Sequence, residues 1–494
     1  MSEVVKTAKF ATIYLLGVVL NRSISFIMLP IYTRFLSTAD YGIIELLTMT
    51  TDVFGLVAAV GLTSALYRFF YSFDNKSERN EVVSTISILM ILFYFLSSVI
   101  GFLMSGELAD IVLQGRKEDI YYFQLMFIIL FFQAFIEIPL IFVKAQQRPY
   151  FFVFISAGRL LLQLTLNIYF VVYLKMHVQG VLYSTLIANF IIGLVLITYT
   201  FRTVGVGFSK TLAKSMVAFG APLLLADLGS FVVSNSDKYF LKIYTSLSEV
   251  GIYSLGYKLG FILWAFTVIP IFNIWGPQRF EIAKKPDAQS INNRVFFFYN
   301  LLIVSFALGL SLFSLDLFRI MSHPSFWGAF KIVPLIMIAF IIYSWNAFCN
   351  FGLYYADKTK YFAIGTLTSA LVMVVSCMVL IPRFHSYGAA VSTICAFVVR
   401  FGIIYYYSQK YYRLKLPWGK NVLILISAAV IYCISLCFIQ EDVYYSIILN
   451  MLLFFIFLVS MLIAPVFEKS EKKMILNYAL HPISTLRSAV SITK

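Results

Sequence analysis

Eleven charged side chains stand in stretches that are otherwise apolar: Arg22, Glu45, Asp52, Arg68, Glu137, Arg159, Asp227, Asp237, Lys238, Lys258 and Arg400. An ionised group facing hydrocarbon costs several kcal/mol, so such residues face a bundle interior or water. Arg22, beside Asn21, is a candidate cation for an anionic substrate group, because the planar guanidinium donates two parallel hydrogen bonds and stays protonated when desolvated. A structural pair with Glu45 or Asp52 is the alternative. Lys258 is a second candidate cation. Glu45 and Asp52 are seven residues apart, hence near one face of a helix, and with Asp227 they are candidate ion-coupling or structural acids. Glu137 and Arg159 suit an interhelical pair. Arg68, Lys238 and Arg400 stand near enough to helix ends to snorkel.

The elements that must position these groups follow from composition. The chain has 494 residues, 61% hydrophobic and 12% charged, against about 25% charged in soluble domains. The apolar residues fall in blocks of roughly 20 or more, enough to cross a bilayer. Fourteen spans are expected, near 10–36, 43–71, 82–106, 119–143, 150–174, 178–201, 211–241, 249–275, 294–320, 328–355, 361–382, 386–407, 419–438 and 443–466. The fold class is therefore all-α and polytopic. Pro30 in span 1 and Pro222 in span 7 remove helix hydrogen bonds and are candidate hinges.

Of the 38 lysines and arginines, 24 lie in the termini and in alternate loops on their side, and eight lie opposite. This places both termini in the cytoplasm. The net charge of +15 is thus a topology signal spread over short loops, with no contiguous basic domain for nucleic acid. No zinc-protease, phosphate-loop or dinucleotide motif occurs, and the four histidines are scattered. No catalysis, metal or cofactor is expected. The five cysteines read as small buried hydrophobes.

Three short echoes recur in order. Asp40-x-Gly42-Ile43 returns as Glu249-x-Gly251-Ile252, displaced by 209 residues; Gly180 with Ser184-Thr185 returns as Gly388 with Ser392-Thr393, displaced by 208; Tyr150-Phe151 returns as Tyr361-Phe362, displaced by 211. Two homologous halves follow, each with six spans and the same orientation, related by an axis normal to the membrane. The expected units are 1–203, 204–410, an additional helix pair at 411–466, and a basic cytoplasmic tail at 467–494. Asp40 and Glu249 are expected to cap their helices.

The stretch Leu16-Gly17, Asn21-Arg22, Leu29-Pro30-Ile-Tyr32-Thr-Arg34-Phe-Leu36-Ser and Asp40-Tyr41-Gly42 resembles the opening of bacterial polysaccharide-biosynthesis membrane proteins. These are the lipid-linked oligosaccharide flippases within the multidrug/oligosaccharidyl-lipid/polysaccharide exporter superfamily. The resemblance runs as span pattern to about residue 407. It implies two six-helix bundles around a central cavity, a monomeric unit in the lipid bilayer, and alternating access for a polyprenyl-diphosphate-linked oligosaccharide. Arg22 and Lys258 would meet the diphosphate. A polysaccharide polymerase and glycosyltransferases would be its partners in assembling O-antigen, capsule or exopolysaccharide. The extra helix pair is reminiscent of lipid II flippases. A multidrug/cation antiporter of the same superfamily, or a non-transporting assembly scaffold, are the competing readings.

Overall fold

The computed structural model describes residues 27–438 and 442–463; Arg22 and the tail at 467–494 lie outside them. Among the described residues the elements are helical. In chain order they are α1 (Leu29–Phe35), α2 (Thr38–Ala59), α3 (Leu62–Ser72), α4 (Lys76–Leu103), α5 (Ser105–Val112), α6 (Lys117–Ala145), α7 (Pro149–Asn167), α8 (His177–Val204) and α9 (Lys210–Tyr244). There follow α10 (Leu247–Leu263), α11 (Ile269–Ile282), α12 (Ala288–Met321), α13 (Val333–Cys349), α14 (Phe351–Tyr355), α15 (Lys360–Tyr411), α16 (Trp418–Leu436) and α17 (Val443–Ile463).

Twelve segments of the described residues are long and apolar enough to cross a membrane. One of them, α15, has 52 residues. As a straight rod it would be about 78 Å long, more than twice a hydrocarbon core. It breaks at His385, whose φ of 50° and ψ of −128° are not helical. The chain then doubles back: Gly365 packs on Ile404, and the Tyr361 and Tyr407 rings stack 3.9 Å apart. The expected spans 361–382 and 386–407 are the two arms of this hairpin. The first expected span lies mostly outside the described residues.

The recurring motifs make equivalent contacts. Ser37 caps α2 by accepting from the Asp40 amide, and the Asp40 carboxylate accepts from the Ser37 amide in return. Ser246 caps α10 in the same way from the Glu249 amide. The capping hydroxyl is therefore the serine, and the acid expected in that role stands three residues on. Asp40 meets His177 at the start of α8, 3.6 Å away, and Glu249 hydrogen-bonds Ser386, 209 residues beyond His177. Gly180 packs on the backbone of Phe170, as Gly388 does on Leu380. A side chain at either glycine would keep the hairpin arms apart.

Helices α16 and α17 pack along α12. Their polar anchor is Asn450, whose amide donates to the buried Asp316 carboxylate at 2.9 Å and to the Leu312 carbonyl at 3.1 Å. Of the cysteines, Cys349 and Cys377 are buried as expected, whereas Cys433 and Cys437 are exposed along α16.

Candidate functional site at the crossing of the two halves

Helices α2 and α10 cross at their first turns, and the crossing is reciprocal. A Cβ on Gly42 would lie 2.0 Å from the Leu247 carbonyl oxygen, and one on Gly251 would lie 2.0 Å from that of Thr38. Only glycine permits this approach. The Thr38 and Ser248 hydroxyls are 2.5 Å apart across it. The halves meet again farther along: Gly220 of α9 packs against the Val60 carbonyl, and Gly61 against that of Gly220.

One turn into α2 from the glycine crossing, Glu45 draws together two lysines of the second half. Its Oε1 is 2.8 Å from Lys258 Nζ, and its Oε2 is 3.9 Å from Lys238 Nζ. Lys258 also donates to the Tyr41 hydroxyl at 2.5 Å. Lys238 lies 4.9 Å from the centre of the Tyr257 ring and is 6% exposed. Its neighbour Asp237 is fully buried and accepts from Tyr253 Oη at 2.6 Å and from Thr393 Oγ1 at 3.4 Å. Two acids and two lysines thus form a balanced cluster at the seam.

Asp52, two turns beyond Glu45, belongs to a different site. It lines a cavity of about 350 Å³ inside the first half, together with Thr48, Gln133, Glu137, Arg159 and Asn189. Glu137 accepts from Tyr94 Oη at 2.9 Å and from Gln133 Nε2 at 2.7 Å. Arg159 donates to Asn189 Oδ1 at 3.0 Å, while its Nε is buried without a partner. The expected Glu137–Arg159 ion pair does not form; the two share a cavity wall instead. Each has spent its near side on a neutral partner.

Asp227 is exposed on α9 and makes no hydrogen bond or ion pair with the described residues. Arg22, the first candidate cation, lies outside them. Pro30 sits at the first turn of α1, where a missing N–H breaks no helix bond, and α9 runs unbroken through Pro222. The irregularities lie elsewhere. Val60 and Gly61 take left-handed conformations between α2 and α3, and a π-helical turn at Trp264–Val268 precedes Pro270 between α10 and α11. Gly61 and Pro270 are 209 residues apart, so these bends fall at matching places in spans 2 and 8.

Lys238 stands near the end of span 7, where snorkelling is expected, yet its ammonium lies in the seam. Nothing local in the sequence marks that. Arg68 is exposed, with its guanidinium 4.4 Å from the Phe219 ring centre, and Arg400 lies over Tyr343. Among the described residues no cluster of three or more metal-binding side chains occurs.

A family model described as polysaccharide biosynthesis protein matches residues 8–275. Two Haemophilus influenzae proteins are similar: the Lsg locus putative protein 1, 23% identical over 52% of this chain and 62% of its own length, and an uncharacterized membrane protein, 24% identical over 56% and 66%. The chain therefore spans just under two thirds of these relatives. Among solved structures, the lipid II flippase MurJ in an inward closed conformation superposes with a TM-score of 0.70 at 10% identity, covering 91% of this chain and 98% of MurJ. An inward-facing multidrug resistance MATE family transporter gives 0.61 at 14% identity, covering 80% and 97%. The matched residues include the capped start of α2, the glycine crossing and both lysines of the seam. This multi-pass membrane chain belongs to the polysaccharide biosynthesis protein family.

Proposed function

We propose that the protein moves a polyprenyl-diphosphate-linked oligosaccharide across the cytoplasmic membrane for surface polysaccharide assembly. The observation that carries this reading is the pair of lysines, Lys238 and Lys258, held at the seam by one glutamate of the opposite half. A buried ion pair is stable only while both partners are present; losing one leaves an uncompensated charge. A diphosphate arriving at the lysines replaces Glu45 as their counterion. It thereby loosens the pair that joins α2 to α10, and the substrate itself favours the opening of that crossing. Arg22, on the sequence assignment, adds a third cation. The prenyl chain stays in lipid throughout, and no bond is made or broken.

On this reading units 1–203 and 204–410 rock against each other about the bends at Gly61 and Pro270. Asp52 and Asp227 remain candidates for ion coupling, and both termini face the cytoplasm. Glycosyltransferases supply the substrate there, and a polymerase consumes it on the other side.

The test is protein-dependent movement of defined polyprenyl-diphosphate oligosaccharides in proteoliposomes, for wild type and Lys258→Met. Movement that falls about tenfold or more, the worth of a charge-assisted hydrogen bond, supports the reading. Transport of a lipophilic cationic drug with no movement of any sugar lipid would establish the antiporter instead.

A further inference from the structure

We propose that the cavity inside the first half is a sugar subsite, and that it takes a neutral or amino-bearing ring rather than a uronate. The proposal rests on the flippase reading for its context, but its evidence is separate. At about 350 Å³ the cavity lies within the range of small-molecule sites, and half of the sixteen residues that line it are polar. Those groups are of the kinds that sugar hydroxyls meet: carboxylates and amide oxygens that accept, amide and guanidinium nitrogens that donate.

Two of them are unfinished. Arg159 Nε is buried with no acceptor, although buried N–H groups are nearly always paired. Asp52 takes no hydrogen bond from the described residues. The width argues against a bare cation, which gathers six or more oxygens at about 2.3–2.6 Å. This cavity has room for roughly ten waters or more.

Two acids face one arginine here, so a carboxylate on the ligand would be repelled and an amine or neutral ring accepted. The placement fits as well. Asp52 follows Glu45 by seven residues on α2, about 10 Å along the axis. A diphosphate at Lys258 and Lys238 would leave its sugar in reach of the cavity.

The experiment uses the full chain with Thr48→Cys, an exposed wall residue, and follows maleimide labelling at position 48 by mass spectrometry. The probes are the methyl glycosides of a neutral hexose, an N-acetylated and a free amino hexose, and a uronate, at high millimolar concentration. A severalfold slowing by a neutral or amino glycoside, absent with the uronate and abolished by Asn189→Leu, is the expected result. No slowing by any glycoside, equal slowing by the uronate, or slowing by sodium chloride or inorganic diphosphate alone would overturn it. Because labelling needs no transport, protection in a protein that moves no diphosphate lipid would keep the subsite and sink the flippase.

Discussion

Thr185 and Thr393 stand at matching places in the repeat, and their surroundings differ in kind. Thr185 receives a hydrogen bond from Gln163 on the wall of an open polar cavity, with Glu137, Arg159 and Asp52 around it. Thr393 donates to Asp237, which is fully buried and closed over by Tyr253. Matching segments therefore enclose an open polar cavity in the first half and a sealed acid in the second. Positions that match in the repeat thus carry different side-chain chemistry. The first half keeps unfinished donors and acceptors suited to a polar ligand; the second delivers two lysines to the seam.

The largest contrast should appear on removing one acid from each interior. Asp237→Ala takes away the acceptor of the buried Tyr253 hydroxyl and leaves two seam lysines with one acid, and should lower stability by about 3 kcal/mol or more. Asp52→Ala, in a wall already open to water, should change it by roughly 0.5 kcal/mol. Thermal unfolding of the two purified variants checks this, and equal losses would erase the distinction.

Next in size are the crossing glycines. Gly42→Val and Gly251→Val each force a side chain onto an opposing carbonyl, and each should cost about 3 kcal/mol. The two losses should be alike because the contact is reciprocal; a harmless Gly251→Val would show that the crossing is not shared. A smaller effect is expected from a double-mutant cycle on Glu45→Gln and Lys258→Met. Coupling of about 1–3 kcal/mol, measured by unfolding, marks the pair that joins the halves. The smallest is Gly61→Ala, where φ is +66°: about 1–2 kcal/mol from the left-handed backbone and the close Gly220 carbonyl.

Most of the fold is legible in the sequence because hydrocarbon enforces it. Blocks of some 20 apolar residues have few ways to satisfy their backbone, and the spans drawn from them recur as helices. The acid-x-Gly motif is legible as a repeat, and its reason emerges only in three dimensions: a capped helix start and a glycine that lets two backbones touch. Side-chain destinations are another matter. Glu45 and Asp52 share a helical face, yet one reaches the seam and the other the cavity, because neighbours from other helices divide that face along its length. Lys238 reads as a snorkelling residue from its distance to the helix end, and α2 lies where the interface would have been. The prolines do not by themselves mark the bends: α9 runs unbroken through Pro222, whereas irregular backbone occurs at Val60–Gly61, without a proline, and in the π-helical turn before Pro270.

The central claim is that the seam lysines exchange Glu45 for the substrate diphosphate. Transbilayer movement of a polyprenyl-diphosphate oligosaccharide by Glu45→Met/Lys258→Met tests it most directly, since the double variant removes the ion pair without stranding either charge. The account predicts a folded protein that moves the lipid at roughly one tenth of the wild-type rate or less. Movement at the wild-type rate would contradict it, leaving the pair a structural tie between the two halves.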